Sequence, residues 1–121
     1  MEMSANNLVN LDQIAELQLQ LGLEHLTPLL GRFSEEIRAL IGQITTSDVN
    51  SNDLDKLIVD IHKSAGSSAA LGLVGLQIQL NYMETSAKSG APEAIWSELP
   101  KLEAIWQAAK KILVDSGLLE E

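Results

Sequence analysis

The stretch Ile61-His62-Lys63-Ser64-Ala65-Gly66-Ser67-Ser68-Ala69-Ala70-Leu71-Gly72 decides how this chain is read. Leu54, Leu57, Ile58, Ile61, Ala65 and Ser68 or Ala69 recur at three- and four-residue spacing through and before it, the period of a helix with one apolar stripe. Asn52 or Asp53 is expected to cap that helix and Gly72 to close it. Inside it, Gly66 costs roughly 1 kcal/mol relative to alanine. The small side chains around it forgo burial worth about 0.8 kcal/mol per missing CH₂. Both losses fall beside a single imidazole, His62, as they would if that ring needs bare space around it.

The same periodicity continues on either side. A first helix is expected from Asn10 as N-cap, with Leu11, Ile14, Leu17 and Leu21 on one face and Gly22 at its end. A longer one runs from about Leu26 to Thr45, carrying Leu26, Leu30, Phe33, Ile37, Leu40, Ile41 and Ile44, with Pro28 tolerated in its first turn. Residues 46–52 are a polar break. After Gly72 a helix turns Leu73, Leu76, Leu80, Met83 and Ala87 inward and Gln77, Gln79 and Asn81 outward, ending at Gly90. The last helix starts at Pro92 and carries Ile95, Leu99, Leu102, Ile105, Trp106, Ala109, Ile112 and Leu113 to Gly117. Pro100 must kink or break it, because proline lacks a backbone donor and clashes with the preceding turn. Short connections between long amphipathic helices imply an all-α fold, an up-and-down antiparallel four-helix bundle with an extra N-terminal helix. It forms one domain over 1–121, with 1–9 and 118–121 expected as flexible tails.

Composition narrows the functions available. A net charge of -9 disfavours nucleic acid, which needs Lys and Arg against its phosphates, and anionic membrane surfaces for the same reason. The chain has no cysteine, which excludes disulfides, thiolate metal sites and cysteine nucleophiles. No apolar run approaches the roughly 20 residues of a membrane span, and the N-terminus has neither a basic region nor an apolar one. A soluble, cytoplasmic protein is expected.

At about 100° per residue, His62 lies at the edge of its helix's apolar stripe. Ile58, Val59, Ala65 and Gly66 are its neighbours one turn away, with Asp55 and Ala69 along the same edge. Val59 adds apolar area of the kind a partner covers. Metal binding is not expected, since His25 is distant in sequence and no paired ligand accompanies His62. A Ser-His-Asp hydrolase needs a nucleophile on a strained turn and an oxyanion hole, whereas Ser64, Ser67 and Ser68 are ordinary helix positions. Asp55 can at most orient the ring. An imidazole that faces solvent can itself attack an activated phosphoryl group and hand it on. Histidines on helix edges are also common as plain boundary residues, and Gly-Ser-Ser-Ala-Ala equally suits a close helix contact. Trp96, Trp106 and Met83 read as packing residues, and the pairs Glu35-Glu36 and Glu120-Glu121 as solvated surface.

His62, Ala65-Gly66-Ser67-Ser68, the Gly72-Leu73 corner and Leu76, Leu80 and Glu84 together resemble the histidine-containing phosphotransfer (HPt) domain. Members of that family show His-x-x-(Lys or Ala)-Gly-Ser-(Ser or Ala), a glycine corner, then a Leu-rich helix ending in Glu. The resemblance implies a phosphorelay intermediate and phosphoprotein of two-component signal transduction. His62 would accept a phosphoryl group from one receiver-domain aspartate and pass it to another. Gly66, Ala65 and Lys63 would form the phosphate environment, and Ile58, Val59, Ala69 and the facing side of the next helix would dock the receiver. The implied partners are response-regulator receiver domains and a hybrid sensor kinase. The protein would be a monomer with no kinase activity and no cofactor or metal of its own, the receiver supplying Mg²⁺. Many members carry a lysine where this chain has Ala65, three residues after the histidine. Lys63 points about 100° away from the ring, though its flexible stem can reach toward a bound phosphate. The alternative is a helical adaptor that binds receiver or kinase domains without taking the phosphate.

Overall fold

The computed structural model describes residues 5–50 and 52–120, and among them the protein is all-helical, without a strand. The elements are α1 (Ala5–Leu8), α2 (Leu11–Leu21), α3 (Leu23–Thr45), α4 (Leu54–Ala70), α5 (Val74–Lys88), α6 (Ala94–Ser97) and α7 (Leu99–Asp115). The expected stripes meet in one core: Leu30, Phe33 and Ile37 of α3, Leu57 and Ile61 of α4, Leu76, Leu80 and Met83 of α5, and Leu102, Trp106 and Leu113 of α7. Phe33 and Trp106 contact edge to face with ring centroids 5.9 Å apart. Trp96 is partly buried, and its indole N–H donates to the Ile44 carbonyl at 3.0 Å. Among the described residues no helix is long and apolar enough to cross a membrane.

The corner between α4 and α5 positions the site. Gly72 takes φ 75°, a left-handed conformation that glycine adopts without strain. Leu73 N–H then donates to Ser68 O at 2.8 Å and Gly72 N–H to Ala69 O at 3.3 Å, which satisfies carbonyls left open at the end of α4. Gln13 Nε2 donates to the Ala69 and Ala70 carbonyls at 2.9 and 3.3 Å, and Asn10 N–H to Gly72 O at 2.8 Å, so the start of α2 clasps this corner. α5 consequently folds back against α4, which brings Glu84 beside His62.

Several expectations change. Asn10 does cap α2, its side chain accepting from Gln13 N–H, but only Ile14 of that helix is fully buried; Leu11 and Leu21 are exposed. α3 starts at Leu23 rather than Leu26, which puts Pro28 inside the helix instead of in its first turn. The last helix breaks at Glu98, with Pro100 in the first turn of α7, where its missing N–H is least missed. Gln79 is buried rather than outward, because its amide donates to Glu98 Oε1 at 2.9 Å. The chain ends pack more than tails would. Leu8 and Val9 are buried, α1 lies against α5 and α7, and residues 1–4 and 121 lie outside the described residues. Leu118 is 5% exposed: with Gly117 at φ 74°, Leu118 N–H reaches Leu113 O at 2.9 Å and the side chain folds back onto the core.

Candidate functional site

α4 presents His62 on its outer edge, as the stripe dictates, with the side chain 73% exposed. Val59 is exposed at 63%, Ile58 and Ala69 are half-buried, and Lys63 and Gly66 are open to solvent. A Cβ built on Gly66 would meet nothing within 4 Å. The protein's own packing therefore does not call for glycine there, so the low relief beside the ring serves nothing inside the chain. Ala65 departs from expectation: at 4% exposure it lines the core with Ile61 and is not part of the open surface. One turn of helix carries it toward the stripe while Gly66 stays outside it.

The ring is oriented from α5. Both oxygens of Glu84 lie within reach of His62 Nδ1, at 3.0 and 2.9 Å, and Lys88 Nζ donates to Glu84 Oε2 at 2.6 Å. Glu84 is 9% exposed at its side chain. Burial by itself pushes its carboxyl upward, but hydrogen bonds from Lys88 and His62 and their positive charge outweigh this and hold it below the usual carboxylate range. An ionised carboxylate only accepts hydrogen bonds, so Nδ1 carries a proton, and on the neutral ring the lone pair is then at Nε2. The nitrogen with the lone pair is the one directed away from Glu84, on a largely exposed ring. Asp55, the carboxylate considered from sequence, is exposed on α4, and Glu84 takes the orienting role.

The opposite side of α4 is held by polar contacts. Ser64 Oγ donates to Glu36 Oε2 at 2.8 Å and Ser67 Oγ to Glu36 Oε1 at 3.5 Å, which ties α4 to α3. Ser64 is buried, and Ser68 Oγ donates to the Ser64 carbonyl at 2.8 Å. Glu36 is thus an anchor rather than the solvated charge its Glu35-Glu36 context suggests. Glu84 was visible only as the last residue of a Leu76-Leu80-Glu84 series, and Lys88 one turn later gave no signal of its own. An i,i+4 Glu-Lys pair on an otherwise apolar edge was the available clue.

Among the described residues no group of three or more His, Asp or Glu side chains converges as a metal site requires. What the arrangement offers is one oriented, accessible imidazole nitrogen on a surface with room above it. Compared with protein-family models, with curated proteins and with solved structures, the chain has no match.

Proposed function

We propose that this chain is a phosphoryl carrier of the histidine-containing phosphotransfer type. In this reading it accepts a phosphoryl group on His62 from a receiver-domain aspartyl phosphate and passes it to a second receiver domain. The observation that carries the reading is the Glu84–His62 hydrogen bond, which leaves Nε2 as a solvent-facing nucleophile beside the open Gly66. The long helices α3, α4, α5 and α7 then form an antiparallel up-and-down four-helix bundle, with α2 as the additional N-terminal helix clasping the α4–α5 corner.

In the forward step the Nε2 lone pair attacks phosphorus, and the acyl P–O bond breaks with its electron pair leaving on the aspartate carboxylate. The ring becomes a phosphoimidazolium. Its positive charge is shared with Nδ1–H, which stays hydrogen-bonded to Glu84, so the carboxylate stabilises charge as it develops. In the second step a carboxylate oxygen of the next receiver attacks phosphorus and the N–P electrons return to Nε2, regenerating the neutral ring with no net proton movement. Glu84 is a positioning residue throughout, and it fixes one tautomer for both directions. The receiver supplies Mg²⁺ for the phosphoryl oxygens, while Val59, Ile58 and Ala69 with the adjoining face of α5 form the docking surface. The chain acts as a cytoplasmic monomer without kinase activity of its own.

Transfer from labelled receiver domains of the source organism to wild type and to His62→Gln tests this. Acid-labile, base-stable label on wild type alone is the expected result. Binding of receivers without label on any of a complete panel overturns it and leaves a helical adaptor.

A further inference from the structure

If His62 carries a phosphoryl group, two negative charges stand beside a carboxylate, because the Glu84 that holds Nδ1 also repels a phosphoryl dianion nearby. α4 supplies no compensating cation on that side. The position three residues after His62 is Ala65, buried at 4%, and Lys63 is set about a quarter-turn around the helix. The cation closest to the ring by hydrogen bonding comes from the neighbouring helix. Lys88 is on Glu84, and Glu84 is on Nδ1, a chain of two charge-assisted hydrogen bonds.

We infer that Lys88 is the phosphate-facing cation of this site, bridging the Glu84 carboxylate and the phosphoryl oxygens once His62 is modified. The inference rests on the phosphoryl-carrier reading and adds to it a residue on α5. Lys88 suits the task by chemistry and placement. An ammonium has three donors and Glu84 accepts one of them, leaving two for phosphoryl oxygens without breaking the existing pair. The side chain is 59% exposed, so its four-carbon stem is free to turn toward a group on Nε2.

Lys88 acts on the lifetime through the phosphoryl oxygens. Phosphoryl transfer to water passes through a loose, metaphosphate-like state, in which the transferred group is less negative than in the ground state. A cation on its oxygens therefore favours the intact phosphohistidine. Removing Lys88 shortens the lifetime.

The test phosphorylates wild type, Lys88→Met and Lys88→Arg with phosphoramidate, which needs no partner protein, and follows phosphohistidine decay and inorganic phosphate release by ³¹P NMR at one pH. Circular dichroism verifies folding of each variant. An exposed ion pair contributes up to about 1 kcal/mol, so Lys88→Met is expected to decay roughly two- to fivefold faster than wild type at low salt. Lys88→Arg should match wild type, and the Lys88→Met difference should narrow as salt rises. Equal lifetimes for folded Lys88→Met and wild type overturn the inference, even if wild type passes its label to a receiver. Failure of wild type itself to form phosphohistidine removes the carrier reading, and the role of Lys88 with it. A purely structural Lys88 would lower the unfolding midpoint of Lys88→Met and leave the lifetime unchanged.

Discussion

Substituting Gly66 by alanine separates what the fold needs from what the site needs. The residue lies mid-helix in α4, and a Cβ there meets nothing within 4 Å. No steric penalty offsets the gain in backbone entropy, so Gly66→Ala should stabilise the folded protein by roughly 0.5–1 kcal/mol. For a domain of this size that corresponds to a rise in Tm of about 2–5 °C. The added methyl also sits one turn from His62, on the surface that a receiver would cover in the proposed reading. Overpacking a close-fitting interface costs about 1–3 kcal/mol, which predicts phosphotransfer slowed roughly five- to a hundred-and-fiftyfold. Gly31 and Gly42 of α3 are equally open and serve as controls, so alanine there should raise Tm without touching transfer. Thermal unfolding and a receiver-to-carrier transfer time course on the same preparations give both readouts. A destabilised Gly66→Ala would mean that the glycine serves internal packing. A stabilised variant with wild-type transfer would mean that the bare surface has nothing to do with phosphoryl exchange.

Gly75 is predicted to behave in the opposite way. Its Cβ would lie 3.2 Å from the Asn7 carbonyl oxygen, from Ile105 Cγ2 and from Leu8 Cδ2, so Gly75→Ala should lose about 1–3 kcal/mol in urea unfolding despite alanine's better helix propensity; an unchanged midpoint would show that α1 yields freely. Glu84 makes stability depend on pH. Its folded pKa lies below the unfolded value, so its contribution is fully present above the ordinary carboxylate range and fades as pH falls through the lowered value. The stability gap between wild type and Glu84→Gln should be widest near neutrality and close in acid, and a gap independent of pH would contradict the ionised Glu84 on which the tautomer assignment depends.

Helical periodicity carried most of the fold because each stripe is long and regular, and the glycine corner and Pro100 are strong local punctuation. Failures came where a residue's fate depends on a segment distant in sequence. Leu11 and Leu21 fit a helical stripe, yet α2 buries only Ile14 fully and Leu17 in part, so they remain outside. Gln79 and Glu36 are polar by type and read as outward-facing. Each is drawn inward by a hydrogen-bonding partner 19 or 28 residues away, which periodicity cannot register. His62 was placed correctly because its position depends on its own helix alone. The residue that orients it was not assigned, since that role arises only when α5 folds back.

The Ser64–Glu36 and Gln13–Ala69 bonds have a consequence for recognition. A helix seated only on aliphatic side chains can roll about its long axis at little cost, since dispersion contacts have no preferred direction. Hydrogen bonds do, and α4 is pinned by them on the face turned away from His62 and again at its C-terminal end. The azimuth of the imidazole is therefore set before any encounter. If the proposed reading holds, partners that exchange groups with this ring must adapt their own approach to it, so any preference among them would be written in their surfaces rather than in a rearrangement of this one.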